Sequence, residues 1–444
     1  MKLTVFPGNP LRGTAEVPGD KSLSHRAVLF AALAEGESRI ENFLVSGVTR
    51  AMLNALKALG VRWHLEGETL TVEGRGLHGL QPTEAALNCG NSATTIRLLA
   101  GALAAAGMPA VLDGSEGLRR RPMDRIVEPL QRMGVPIEAS ENGCAPLRLR
   151  ARPAGQMLRP LDETLPVASA QVKSCLLLAA LDADGETVLR EPGPSRDHTE
   201  RMLGSMGAAI TSRVLDANPL VYETRLTPPV GDLTPIQMAL PGDMSAAAFL
   251  IVAGLIVPGS EIVIPGVEIN PTRTGLIDAL REMGADIVVE NETVQAGEPV
   301  ADLRVRSSRL SGGQVCGPLV VRMIDEFSVF GAAAAFAQGQ TVVSEAAELR
   351  LKESDRITTL VQELCALGVE ATEQPDGFTI AGGQGPLDGT AQAHGDHRLA
   401  MALAVAGLAG RGPVTVEGAE IIDESFPGFT QTLRSLGARI EVES

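Results

Sequence analysis

Val17-Pro18-Gly19-Asp20-Lys21-Ser22-Leu23-Ser24-His25-Arg26 is echoed half a chain later by Leu240-Pro241-Gly242-Asp243-Met244-Ser245. Each copy sets Pro-Gly ahead of Asp and Ser and follows them with a long apolar run, Ala27 to Ala34 in the first and Ala246 to Val257 in the second. A capping residue before unbroken apolar sequence announces a helix that ends up buried. The chain of 444 residues therefore reads as two halves on one framework. Only the first half adds cations to it, Lys21 and Arg26.

A second signature recurs six times: Leu56 to Gly60, Leu130 to Gly134, Leu203 to Gly207, Leu280 to Gly284, Leu364 to Gly368 and Leu433 to Gly437. Apolar residues three apart followed by Gly describe the last turn of an amphipathic helix and its left-handed C-cap, after which Val61, Val135, Ala208, Ala285, Val369 and Ala438 begin extended segments. Ahead of each lies a more uniformly apolar stretch: Ser24 to Leu33, Ala93 to Ala106, Val172 to Leu181, Ser245 to Val257, Phe327 to Ala337 and Leu399 to Ala409. Each unit then reads as apolar helix, strand, amphipathic helix and hairpin, such as Val61 to Glu66 with Thr69 to Glu73 around Gly67. Units of this length are larger than solenoid repeats, so the expected fold is α/β, with three units in each of two pseudo-threefold domains.

A hydrophobic content of 44% supports substantial cores, and the net charge of -16 argues against a general nucleic-acid or basic membrane-surface binder. Anions must then be met by local clusters of Lys and Arg. The start of the chain has no apolar segment of signal-peptide length, and the longest apolar run, Met244 to Val257, falls short of the roughly 20 residues of a membrane span. A soluble cytoplasmic protein is expected. Cys89, Cys144, Cys175, Cys316 and Cys365 are odd in number and scattered, which indicates neither a disulfide framework nor a zinc site.

Polar and charged residues gather where the apolar helices begin: Lys21-Ser22 with Arg26, Asn91 to Thr94 with Arg97, Ser169 to Gln171 with Lys173, Asp243 to Ser245, Asp325-Glu326, and Gly395 to Arg398. Helix N-termini offer unpaired N–H groups and partial positive charge, so several of them together make an anion site. Capping alone accounts for Asp243 and Ser245, but a cation gains nothing at an N-cap. Gly74 to Gly79 fits the dinucleotide-binding pattern without a following helix, and Gly19 to Ser22 lacks the upstream Gly of a P-loop. His394 to His397 has no supporting third ligand for a metal. Three adjacent arginines, Arg119 to Arg121, before Pro122 offer a guanidinium to an anion. Leu351 to Arg356 alternates charges in the manner of an exposed salt-bridged face.

Taken together, these pieces resemble the 5-enolpyruvylshikimate-3-phosphate synthase family over the whole chain: Gly19-Asp20-Lys21-Ser22 with Arg26, Asn91-Ser92-Ala93-Thr94-Thr95 with Arg97, Arg121-Pro122-Met123, Ser169-Ala170-Gln171, Arg196-Asp197-His198, Asp325-Glu326, Lys352 to Arg356 and Asp396-His397-Arg398. The resemblance implies six βαβαββ units in two domains, hinged at the two Pro-Gly-Asp crossovers and closing over shikimate 3-phosphate and phosphoenolpyruvate. Residues 20–241 would carry most of the shikimate 3-phosphate site. Residues 1–19 and 242–444 would form a discontinuous domain with the acid/base residues and part of the phosphoenolpyruvate site. It implies a monomer with no cofactor and no metal.

By resemblance, shikimate 3-phosphate is held by Lys21, Ser22, Arg26, Ser169, Gln171, Arg196, Asp325 and Lys352, and phosphoenolpyruvate by Lys21, Asn91, Ala93, Thr94, Arg121, Gln171, Arg356 and Arg398. Asp325 is expected to take the hydroxyl proton, Glu353 to exchange the methylene proton, and Lys21 to assist at the bridging oxygen. The related UDP-N-acetylglucosamine enolpyruvyl transferases differ by Lys-Asn in place of Lys21-Ser22 and by a reactive Cys in the loop Ser115 to Arg121. A non-catalytic anion-binding protein on the same repeats would not need Asp325 and Glu353. Two departures stand out: Ala93 and Leu98 replace Gly and Pro, which resembles the glyphosate-insensitive class, and Glu424 stands where many members carry a Lys for phosphoenolpyruvate.

Overall fold

The computed structural model describes residues 1–217, 219–295, 297–383 and 388–443. Each Leu-x-x-x-Gly signature closes its helix in the same way. The residue after the Gly donates its backbone N–H to the carbonyl of the signature Leu, Val61 to Leu56, Val135 to Leu130, Ala208 to Leu203, Ala285 to Leu280, Val369 to Leu364 and Ala438 to Leu433, at 2.9 to 3.0 Å. This closure needs a left-handed residue at the turn, and all six glycines have φ between 81° and 106°.

The apolar stretches form the helices Lys21–Leu33, Ala93–Ala105, Ala170–Ala180, Met244–Ile256, Phe327–Phe336 and His397–Leu408. Helices with no polar face must be surrounded on all sides, and every residue of Met244–Ile256 is buried. Their close packing has a visible cause at Gly101, where an added Cβ would lie 2.2 Å from the carbonyl oxygen of Cys175 on the neighbouring helix. Gly74 explains the false dinucleotide pattern: its Cβ would lie 2.3 Å from the carbonyl oxygens of Ala31 and Ala34, and the segment after it turns without opening a helix.

Six four-stranded sheets are formed among the described residues. In each, one edge strand runs parallel to its neighbour, and in five of them a hairpin then adds its second strand next and its first strand at the far edge, as in the order Leu87–Asn88, Ala110–Asp113, Leu147–Leu149, Ile137–Glu138. Reading each unit from its apolar helix onward misses the first strand, and some strands come from far along the chain. Gln237–Ala239 pairs in parallel with Glu35–Glu41, and Arg12–Thr14 with Glu261–Glu268. The N-terminal strand Lys2–Phe6 lies between Val414–Glu417 and Arg439–Glu443.

The chain forms two compact units: Gly19–Leu240 with Gln295–Glu298, and Met1–Pro18 with Pro241–Val294 and Pro299–Ser444. Each has its own core of helices under three sheets. No helix among the described residues is long and apolar enough to cross a membrane.

Candidate active site

In the unit Gly19–Leu240, Asp20 is fully buried and caps the helix Lys21–Leu33 by accepting the Leu23 N–H at 2.7 Å. One turn on, His25 Nδ1 lies 2.8 Å from the Lys21 carbonyl and so carries the proton, which leaves Nε2 to accept the Ser92 hydroxyl at 3.3 Å. Burial, with Lys21 and Arg26 nearby, pushes His25 down to about 4, so it is a neutral strut. Ser92 in turn caps Ala93–Ala105, which sets Ala93 at the first position of that helix, 3% exposed.

Thr94, Gln171 and the Arg121 segment belong to one network. Gln171 Nε2 donates to Thr94 Oγ1 at 2.9 Å, Arg97 Nη1 donates to Gln171 Oε1 at 2.5 Å, and Arg97 Nη2 donates to the Pro122 carbonyl at 2.9 Å. The Ser115 hydroxyl donates to Asn91 Oδ1 at 2.9 Å. Of the three adjacent arginines, Arg119 is spent on Asp113 at 2.6 Å, while Arg121 follows the short 3-10 turn Leu118–Arg120.

Arg26 is 2% exposed and donates to Thr199 Oγ1 at 2.8 Å, Ser174 Oγ at 2.9 Å and the Ser22 carbonyl at 3.0 Å. Arg196 reaches the Ser22 hydroxyl at 3.2 Å. Burial pulls Arg26 down to about 10 against the attraction of Glu200, so it remains charged. Lys173 is buried with Glu191 and Glu200, each at 2.7 Å. Burial opposes its charge, yet the two carboxylates hold its pKa above the ordinary lysine value. Ser169 stands at the N-cap of Ala170–Ala180.

In the other unit, four carboxylates surround two guanidiniums. Arg356, 2% exposed, donates through Nε to Asp396 at 2.7 Å and through Nη2 to Glu353 at 2.7 Å, and its Nη1 lies 3.3 Å from Asp325. Burial opposes the charge on Asp396, but the Arg356 guanidinium holds its carboxyl below the usual range. The alternating charges of Leu351 to Arg356 therefore do not form a solvated face, because Arg356 turns inward. Lys352 and Glu353 are half-buried, and so is Glu424 at the end of the turn Ala419–Glu424. Arg398 differs from Arg356. Its guanidinium makes no hydrogen bond among the described residues and is held by Asp325 at 3.6 Å and Glu326 at 3.9 Å.

Sequence reading missed two features here. Ser245 does more than belong to a cap: Asp243 supplies that by accepting the Ser245 N–H, while the Ser245 hydroxyl donates to Glu326 and accepts from Arg273. Arg273, in Asn270-Pro271-Thr272-Arg273, carried no signal beyond being a charge in an otherwise polar turn.

The six repeated α/β units define the class by architecture: this is the fold of the enolpyruvyl transferases. A solved member, the enolpyruvyl transferase NikO from Streptomyces tendae, shares this fold with a TM-score of 0.77 at 22% identity, covering 99% of this chain and 98% of that one. Within that class the chain belongs to the EPSP synthase (3-phosphoshikimate 1-carboxyvinyltransferase) family, whose sequence model matches residues 5–433. A 3-phosphoshikimate 1-carboxyvinyltransferase of Geobacter sulfurreducens is 47% identical over 441 residues, 99% of this chain and 100% of that protein. One of Xylella fastidiosa is 48% identical over 443 residues, 98% and 93%. An EPSP synthase structure from Acinetobacter baumannii has a TM-score of 0.87 at 41% identity and full coverage of both chains.

Proposed function

We propose that this protein transfers the enolpyruvyl group of phosphoenolpyruvate to the 5-hydroxyl of shikimate 3-phosphate and releases phosphate. The observation that carries the reading is that Asp325 and Glu353, two carboxylates suited to proton transfer, are both engaged by Arg356. In this reading the 5-hydroxyl adds to the vinyl carbon while Asp325 takes its proton, and Glu353 gives a proton to the methylene carbon, making a methyl group. A methyl proton then returns to Glu353 as the carbon–oxygen bond to phosphate breaks, and the phosphate leaves with the proton that Asp325 had taken. Lys21 assists at the bridging oxygen. Lys21, Ser22, Arg26, Ser169, Gln171, Arg196, Asp325 and Lys352 hold shikimate 3-phosphate. Lys21, Asn91, Ala93, Thr94, Arg121, Gln171, Arg356 and Arg398 hold phosphoenolpyruvate.

What supports these assignments is chemical. The forked N–H donors of Arg398 make no hydrogen bond to a described residue, as a carboxylate or phosphate ligand requires. Arg356 has three of its five donors directed to carboxylates, so its part is to hold the acid/base pair as well as to meet the substrate. The enzyme acts in the cytoplasm as a monomer, a reading with which its free cysteines agree. It tolerates glyphosate through the Cβ of Ala93. The test of the reaction is release of phosphate from phosphoenolpyruvate that depends on added shikimate 3-phosphate; release without it, or none with it, overturns the reading.

A further inference from the structure

Glu326 follows Asp325 directly and is 1% exposed, yet the proposed chemistry makes no use of it. Its Oε1 accepts a hydrogen bond from Ser245 and lies 3.9 Å from Arg398 Nη1, while Oε2 is buried without a hydrogen-bond partner among the described residues. Removing a carboxylate from water is costly unless cations and hydrogen-bond donors repay it, and a Gln of the same shape would fill the space without burying a charge. The N-terminus of the helix Phe327–Phe336, which begins at the next residue, offsets part of the cost, and Arg398 is the guanidinium that receives the benefit.

The other side of Glu326 is equally specified. Ser245, which donates to Glu326, accepts from Arg273 Nη2 at 2.9 Å, and the same nitrogen lies 3.1 Å from Asp243 Oδ1. Arg273, Ser245, Glu326 and Arg398 thus form one line of side chains, each no more than 5% exposed. Arg398 sits at its end, held through one terminal nitrogen by Asp325 and through the other by Glu326. Without Glu326 its strongest remaining attraction is Asp325, the proposed base.

We infer that Glu326 is a positioning residue for Arg398. By engaging Nη1 it keeps the guanidinium from pairing closely with Asp325, so that the N–H donors stay available to phosphoenolpyruvate and Asp325 stays available to take a proton. The inference rests on the proposed function and adds to it a group that touches neither substrate nor reacting atoms.

The test is steady-state kinetics of the full chain with each substrate varied. Wild type is read first, because absence of phosphate release dependent on shikimate 3-phosphate would sink the proposed function itself. Given that activity, Glu326→Gln should raise KM for phosphoenolpyruvate by about tenfold while KM for shikimate 3-phosphate stays within about twofold. The acidic limb of the kcat profile should move to lower pH, because Arg398 is then held by Asp325 alone, draws closer to it, and makes Asp325, already beside Arg356, a weaker base. Glu326→Asp, which keeps the charge, should recover part of the KM. A KM for phosphoenolpyruvate within about twofold of wild type, or a fall in kcat with an unmoved acidic limb, overturns the inference. Should Glu326→Gln fail to fold, Ser245→Ala keeps the charge and removes the hydroxyl that orients it. A rise of about threefold in KM for phosphoenolpyruvate supports the inference, and an unchanged value overturns it.

Discussion

Asp325 and Glu353 share one guanidinium: Arg356 Nη2 donates to Glu353 Oε2 at 2.7 Å, and Nη1 lies 3.3 Å from Asp325 Oδ1. Arg356 is itself fastened to the fully buried Asp396, so the guanidinium between the two carboxylates is anchored in the packed interior of the unit. A reaction that adds one proton and removes another needs its acid/base groups held in place.

If the pair performs acid/base work, Asp325→Asn and Glu353→Gln should each lower kcat by roughly two to four orders of magnitude and change substrate binding little. Titration of shikimate 3-phosphate binding beside turnover separates the two effects. Near-normal turnover of Asp325→Asn would mean that another group takes the hydroxyl proton.

Arg356→Lys keeps a charge but cannot span three carboxylates, so kcat should fall by about a hundredfold. Arg356→Ala should also destabilise the protein by about 3 to 5 kcal/mol, because it strands buried Asp396. Since the folded-state pKa of Asp396 is depressed, the stability it contributes is complete above the ordinary carboxylate value of about 4 and is lost as pH falls through the lower folded value. Denaturant unfolding of wild type should therefore show an acid loss below pH ~4 that is smaller in Arg356→Ala.

His25 gives a second pH dependence in a different window. Its folded-state value of about 4 lies below the ordinary 6.5, so the unfolded chain binds the proton more tightly. Stability is complete above 6.5 and should decline by roughly 3 kcal/mol as pH falls toward 4. His25→Gln should remove that slope. Unfolding free energies of wild type and variant between those two pH values test it, and parallel curves would exclude His25 as the cause.

The Cβ of Ala93 offers a test of inhibitor discrimination. Glyphosate is longer than phosphoenolpyruvate, and one extra carbon in a packed site costs an over-long ligand about 1 to 3 kcal/mol, or roughly 5- to 150-fold in affinity. Ala93→Gly should restore inhibition and leave KM for phosphoenolpyruvate similar or lower. Equal sensitivity of wild type and variant would move attention to Glu424.

The six closures and the six buried helices were legible because their causes are local. A left-handed Gly after Leu-x-x-x, an Asp or Ser ahead of an apolar run, and apolar residues on every face act within one or two helical turns. Four-stranded sheets that borrow Lys2–Phe6 or Gln237–Ala239 were not legible, since strand partners hundreds of residues apart leave no periodic trace. Most candidate site residues came from motif resemblance, which names residues without saying what they touch.

By itself, then, the chain's order of residues determined the repeat, the buried helices and the polar groups at their starts, because backbone closure and helix burial depend on near neighbours. Only tertiary structure decided which charges meet. It buries Arg356 against Asp396, turns Ser245 from a cap toward Glu326, and holds Arg398 only through the longer ion pairs to Asp325 and Glu326. Ion pairs between distant segments are chosen by how the helices pack, and in a buried site that choice separates a guanidinium hydrogen-bonded to carboxylates from one held only at longer range.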